Sequence, residues 1–237
     1  SRHSATISVV VPVLNEEKRL AGLLSFLFES ERECEVIVSD GGSTDRTVEI
    51  ARAYGATVVQ AEVGRGIQQA AGAKQASGDV LLFLHADSQP HTRCLDEIKT
   101  VLGQQPEIVG GNFRVEYDDS RLFSRYVEIL CAGLRMLGLY YGDSGIFVRR
   151  KVYEAIGGFK SMSVMEDVDF VLRLERYGKT CCISKAPLRT STRRFTRSSS
   201  LRLLSLWVRM HAFYALGASD EYLAALYDSK STESNSG

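Results

Sequence analysis

Val80–Asp87 reads VLLFLHAD, an apolar run that stops abruptly at a histidine and an acid. Five consecutive apolar residues, with no polar alternation, are the pattern of a strand buried on both faces. Such strands belong to parallel sheets covered by helices. A carboxylate directly after one stands at the strand's carboxyl end, the edge where open α/β sheets bind ligands. Asp87 is therefore a candidate for handling a metal ion or a phosphate. The plainer alternative is that it starts a turn with Ser88 and Pro90.

The flanking sequence repeats the theme. Thr6–Val13 (TISVVVPV) reads as a first buried strand, followed by Asn15-Glu16-Glu17 and an amphipathic helix from Leu20 to Phe28. Asn15 can cap that helix, and the two glutamates suit its positive end. Glu35–Ser39 is a second strand, Thr47–Tyr54 a helix closed by Gly55, Thr57–Gln60 a third strand and Gly66–Ala76 a helix leading into Val80. A β-α-β-α-β-α-β order at short spacing predicts a mostly parallel sheet wrapped by helices.

After Asp87 the spacing loosens. Helices are expected over Leu95–Leu102, Arg121–Leu139 (amphipathic), Val152–Ile156 and from Met165 to about Tyr177. Strands are expected over Glu107–Tyr117, Ser144–Arg149 and Thr180–Ser184. Ser198–Leu216 is a further amphipathic helix, Glu221–Tyr227 ends the ordered part, and Ser229–Gly237 reads as a disordered tail. One domain over 1–228 is expected: a nucleotide-binding half (1–88), an acceptor half (89–185) and a basic segment with C-terminal helices (186–228).

Composition narrows the class of function. With 44% apolar and 24% charged residues among 237, the chain can bury a substantial core. A formal net charge of zero gives no bulk attraction to nucleic acid or anionic lipid. Five cysteines with no CxxC make neither a disulfide framework nor a zinc site, and suit a reducing cytoplasm. No apolar run is long enough to span a bilayer. Arg189, Arg193, Arg194, Arg197 and Arg202 crowd one late segment that has no acid until Asp220.

Three more stretches carry chemistry besides Asp87. In Ser39-Asp40-Gly41-Gly42-Ser43-Thr44-Asp45, Asp40 ends a strand, where it can accept from a ribose hydroxyl or a base N–H, and Ser43 or Thr44 can cap the next helix. In Gly64-Arg65-Gly66, an arginine before a helix N-terminus suits a phosphate clamp, although the stretch is no dinucleotide fingerprint. Glu166-Asp167, with Asp169 two residues on, opens a helix and can supply a general base for a neighbouring hydroxyl. Each also has a plain reading as a capped or solvated turn. His85 is a second metal ligand, a hydrogen-bond partner, or simply the strand's last residue.

Together, ISVVVPVLNEE, VIVSDGGSTDRT, GRG with AAGAKQASGD, VLLFLHADS, GIFVRRKVYEAIGGF and MEDVDFVLRLERYG resemble a family 2 glycosyltransferase of the GT-A, Rossmann-like fold, over roughly residues 5–185. GDSGIFVRR and the terminal LGAS and LAALY further resemble a bacterial subgroup of small soluble members, some linked to arsenosugar pathways. The resemblance implies that Pro12, Asn15 and Glu16 line the nucleotide pocket and that Asp40 holds the base or ribose. It places Arg65 near the diphosphate, gives Asp87 to Mg²⁺ or Mn²⁺ as the last acid of a DxD motif, and makes Asp167 of the Glu166-Asp167 pair the base of an inverting transfer. The partners implied are a nucleotide sugar, with uridine the family default, and a hydroxyl acceptor. Two departures stand out: His85 replaces the first DxD acid, and Ala70 stands where many members carry Asn. The missing acid keeps open a non-catalytic nucleotide-sugar-binding protein; a sugar-phosphate nucleotidyltransferase fits less well, because PVLNEE places acids where that chemistry wants glycines and bases.

For the late segments the expectations are that Arg193 or Arg194 clamps the leaving nucleotide, against a plain basic loop. The helix bearing Leu201, Leu204, Trp207, Val208 and Phe213 packs on the core, makes a homodimer or rests on a membrane surface. His211 reads as structural, with metal ligation the alternative. In YYGDS (Tyr140–Ser144), Tyr140 or Tyr141 stacks on a sugar and Asp143 binds a hydroxyl, or the stretch is a turn.

Overall fold

The β-branched run Ile7–Val13 forms β1, in the middle of the sheet with a parallel neighbour on each side. The computed structural model describes residues 5–28, 34–117, 122–190 and 200–231. β2 (Cys34–Asp40) pairs with β1 from Ile7↔Cys34 to Val13↔Asp40, β3 (Thr57–Gln60) lies outside β2, and β4 (Val80–Phe83) lies on the other side of β1. Parallel pairing needs crossovers, and α1 (Glu17–Phe28), α2 (Thr47–Ala53) and α3 (Arg65–Gln75) supply them. Pro12 is tolerated within β1 because β4 ends opposite Val10, so only the β2 side is paired there.

Beyond β4 the sheet becomes mixed. The chain runs through β5 (Gln89–Pro90), α4 (Cys94–Gln104), β6 (Ile108–Tyr117), α5 (Leu122–Met136), a 3₁₀ turn (Gly142–Ser144), β7 (Ile146–Arg149), α6 (Arg150–Ala155), α7 (Glu166–Tyr177) and β8 (Lys179–Thr190). Two C-terminal helices follow, α8 (Ser200–Ala215) and α9 (Asp220–Ser231). The strand order is β3-β2-β1-β4-β7-β6-β8-β5, with β7 antiparallel to β4 and to β6, and β8 parallel to β6. Because β7 runs against β4, Ile146 sits opposite Phe83. The Gly142–Ser144 turn therefore arrives at the same edge as His85–Asp87.

Both faces of the parallel strands are covered. Val9, Val11 and Val13 join Leu20, Leu24 and Leu27 of α1 and Ile98 of α4 in one core; Val10, Leu81 and Phe83 face α3 and α7 in the other, beside Ala73 and Phe170. Gly72 sets the distance of α3 from β1: a Cβ there would lie 2.5 Å from Val10 Cγ1. Gly72→Ala should overpack this seam by about 2 kcal/mol and lower Tm by roughly 4–8 °C. Gly103→Ala, where a Cβ meets nothing within 4 Å, is the matched control in thermal denaturation and should not lower it.

Several expectations are corrected. The last strand extends to Thr190: pairing jumps from Phe113↔Ile183 to Val115↔Leu188, so an irregularity absorbs Pro187 and ladder pairing resumes. Arg189 accordingly belongs to β8, where it pairs with Glu116 at 3.5 Å, and not to a loop. The short β5 carries no sequence pattern. α9 continues to Ser231, so Ser229–Ser231 are helical. Arg193, Arg194 and Arg197, and the side chains of Leu201, Arg202, Leu204 and Trp207, lie outside the described residues.

Leu206, Met210 and Leu223 make a small core of their own, with Phe213, Tyr214, Val164 and Met165 packed against it. This supports the packing reading for Phe213, while Val208 is 63% exposed. No helix among the described residues is long and apolar enough to cross a membrane.

Candidate active site

The carboxyl ends of β1 and β2 are tied to each other loop to loop. Asn15, at φ 54°, donates its N–H to Ser43 Oγ (2.9 Å), and its Oδ1 accepts from the Thr44 N–H (2.8 Å). Glu16 N–H reaches Thr47 Oγ1 at 2.8 Å and Glu17 N–H reaches Asp45 at 3.2 Å. The first amides of α1 are thus satisfied by the neighbouring loop, and Asn15 braces that loop in place of capping α1. Nor do Ser43 and Thr44 cap α2; Asp45 takes the Thr47 N–H at 2.9 Å.

Asp40 is 1% exposed and accepts from the N–H groups of Gly42 and Ser43 (both 3.1 Å) and from the Ser43 hydroxyl (2.5 Å). Its carboxylate shapes the Gly41–Ser43 turn from inside. Gln68 of α3, which the sequence reading did not single out, donates its amide N–H to the carbonyls of Val13 (2.7 Å) and Ser39 (3.0 Å). It fixes α3 against the ends of both strands. Its only trace in the sequence is a polar side chain on an otherwise buried helix face.

The N-termini of α3 and α7 meet. Gly66 allows the approach: a Cβ there would lie 2.4 Å from the Lys160 carbonyl oxygen and 3.1 Å from Glu166 Cβ. Arg65 and Glu166 form an ion pair across the contact, Arg65 partly exposed and Glu166 1% exposed. Burial pushes the Glu166 carboxyl up from its ordinary value, opposed by the arginine beside it. The residue before this pair, Met165, sits at φ 63°. A non-glycine residue there is strained, and its packing against α8 and α9 helps to hold it.

Asp167 points the other way from Glu166 and is half-buried. Its Oδ2 accepts from the Gly142 N–H at 2.9 Å and its Oδ1 from the Val168 N–H at 2.8 Å. A Cβ on Gly142 would lie 3.2 Å from His85 Nε2 and 3.4 Å from Asp167 Oδ2. One glycine thus brings together the ends of the HAD and MEDVD stretches, about eighty residues apart. Tyr141, just before it, bonds to Nε2 of His211 on α8 at 3.3 Å, so the C-terminal helices reach this edge as well.

Asp87 is half-buried just beyond His85. Among the described residues, no group of three or more His, Cys, Asp or Glu side chains could hold a metal by itself. A single carboxylate on the ligand-binding edge fits a divalent ion completed by substrate phosphates and water, and does not fit an all-protein cage. Pro12 is half-buried beside Ser39, and Glu16 is held by Arg19 at 2.8 Å. Of the residues singled out from the sequence, Asn15, Glu16, Asp40, Arg65, Asp87, Glu166 and Asp167 therefore all lie on the elements that end or begin at this edge; Arg194 is outside the described residues.

The family model described as "Glycosyl transferase family 2" matches residues 8–165. "Glycosyltransferase AglE" of Haloferax volcanii is 32% identical over 168 residues, covering 65% of this chain and 55% of that protein. A "4,4'-diaponeurosporenoate glycosyltransferase" of Staphylococcus haemolyticus is 40% identical over 90 residues, 35% of this chain and 24% of its own. This chain thus spans about half, or less, of the curated relatives it matches. Among solved structures, S. aureus TarS superposes with a TM-score of 0.63 at 20% identity, covering 79% of this chain and 60% of that one. Glucosyl-3-phosphoglycerate synthase from Mycobacterium tuberculosis, in complex with Mn²⁺, UDP and glucosyl-3-phosphoglycerate, gives 0.60 at 22% identity, covering 91% and 81%. At these identities the structural likeness establishes the GT-A fold.

Proposed function

The chain belongs to glycosyl transferase family 2, and from that premise we propose that it moves a sugar from a nucleoside-diphosphate donor to an acceptor hydroxyl, with inversion and with Asp167 as general base. The observation that carries the reading is the contact of Asp167 and His85 through Gly142, which puts a fixed, half-exposed carboxylate beside the end of β4. In the reaction, the acceptor hydroxyl gives its proton to Asp167 while its oxygen bonds to the anomeric carbon. The bond from that carbon to the diphosphate breaks on the opposite face, and its electron pair leaves on the phosphate oxygen. The two amide N–H groups that grip Asp167 fix its orientation, as proximity catalysis requires. On this reading Arg65, held by Glu166, would meet the diphosphate, and Pro12, Asn15, Glu16 and the Asp40 loop the nucleoside. Asp87 would hold Mg²⁺ or Mn²⁺, which supplies charge neutralisation for the leaving diphosphate when bound. The synthase neighbour's complex with Mn²⁺ and UDP makes a UDP-sugar the first donor to test.

A thermal-shift panel of UDP, GDP, CDP and dTDP, each with Mn²⁺ or EDTA, tests the donor site. At a hundredfold excess over Kd a ligand adds about 2.7 kcal/mol, which at roughly 2–4 °C per kcal/mol is a rise of about 5–10 °C. One diphosphate should give this rise with Mn²⁺, and Asp87→Asn should abolish it. A rise that ignores EDTA and Asp87→Asn would remove the metal from the reading. No rise with any of the four would remove the nucleotide site.

A further inference from the structure

Beneath α5 lies a cavity of about 260 Å³ between that helix, β6 and β8. Phe113, Cys131, Leu139, Tyr140 and Tyr141 supply mostly apolar walls. Two charged groups of its lining are engaged: Arg135 donates to Asn112 (2.6 Å) and Thr180 (2.7 Å), and Glu128 accepts from the Tyr117 N–H (3.0 Å). Asp143 and Ser144 of its lining belong to the same turn whose Gly142 N–H grips Asp167. The lining also includes Met136, which is 89% exposed, so the cavity reaches the surface there.

Of the described side chains of the helix above it, Glu128, Leu130, Cys131, Leu134 and Arg135 are half-buried, and Ile129, Ala132, Gly133 and Met136, spaced i, i+3, i+4 and i+7, are exposed. An apolar surface thus continues from the cavity over the rim at Met136. Size limits what can enter. A cavity of about 150 Å³ holds benzene, whereas whole drug-sized ligands take roughly 300–1,000 Å³. The space under α5 takes a ring with a few further carbons, and so part of a molecule whose remainder lies at the sheet edge or across the rim. A hydroxyl-rich body would lose about 1–3 kcal/mol for every hydroxyl left without a partner against these walls.

We propose that this cavity binds the acceptor, and that the acceptor is an amphipathic alcohol whose apolar body lies under α5 while its hydroxyl meets Asp167. The proposal rests on the transferase reading above. Benzyl alcohol is the probe, glycerol the polar control, and both are titrated by ligand-observed NMR into the full chain and two variants. Cys131→Phe fills the cavity, and Met136→Lys places a charge at its exposed rim, where folding is not at stake. Benzyl alcohol should bind the wild type, bind both variants at least tenfold more weakly, and accelerate nucleoside-diphosphate release from the donor found by the nucleotide panel; glycerol should do neither. Equal binding to all three proteins, or glycerol acting as well as benzyl alcohol, would overturn the assignment with the transferase reading intact. Binding that the variants weaken, in a protein that takes up no nucleotide, would sink the transferase reading and the acceptor role with it.

Discussion

Asp167→Asn is expected to lower kcat by about 10²–10⁴-fold, the usual contribution of a positioned general base, while nucleoside-diphosphate affinity stays within about twofold. The geometry separates the two effects. Asp167 lies in the first turn of α7 and is held by amides of Gly142 and Val168. The residues proposed above for the nucleoside are on β1 and the loops that follow β1 and β2. Asparagine keeps the shape but has one acceptor oxygen where aspartate has two, so one amide contact is lost, at about 1 kcal/mol of stability. That loss is far too small to account for the rate. The split between kcat and nucleotide affinity is the second readout. Turnover within tenfold of wild type would mean that another group takes the proton.

The parallel half of the fold is legible because Val9–Val11, Val36–Val38 and Val80–Leu84 are buried on both faces and so carry unbroken apolar runs. The carboxyl edge follows from topology, which is why Asp40 and Asp87 can be placed from sequence. What joins the edge into a site leaves no period to read. Gly142 lies between His85 and Asp167 only because β7 runs antiparallel to β4. Gln68 reaches two carbonyls from a buried helix face that it shares with Gln69, and nothing in the sequence tells which partners either one finds. The amphipathic pattern of α5 announces a helix, but a stripe does not say which side faces in. Here the half-buried side carries Glu128 and Arg135 beside Leu130, Cys131 and Leu134, the two charges satisfied by Tyr117, Asn112 and Thr180. Capping was misassigned for the same reason: Asn15 and Ser43 look like local caps, yet each bonds across to the other's loop.

Asp169→Ala should destabilise the fold by about 4 kcal/mol, within the range for removing one partner of a buried ion pair, and lower Tm by roughly 8–16 °C at pH 7. Asp169 is 5% exposed and accepts from Lys160 Nζ (2.9 Å), Arg173 Nε (2.8 Å) and the Tyr214 hydroxyl (3.0 Å). It thereby fastens the 160s loop, α7 and α8 to one another. Without it, the guanidinium of Arg173, 18% exposed, keeps among the described residues the Ile156 carbonyl at 2.6 Å and the face of Phe170. Burial alone would raise the Asp169 carboxyl, but the hydrogen bonds from Lys160, Arg173 and Tyr214 outweigh it and hold it below its ordinary 3.8. The sign follows: the unfolded chain takes up this proton first on acidification. The stabilisation is therefore complete above about pH 4 and is lost as pH falls through the folded-state value. Melting curves at pH 7 and pH 3 should show a wide gap between wild type and Asp169→Ala that narrows at the lower pH. A Tm within 2 °C of wild type at pH 7 would mean that α8 and α9 are held to the site by their apolar contacts and by the Tyr141–His211 and Ser163–Asp220 hydrogen bonds without need of Asp169. In that case the strained Met165, and the carboxylates that follow it, would be positioned by Leu206, Met210 and Leu223 and not by the charge network.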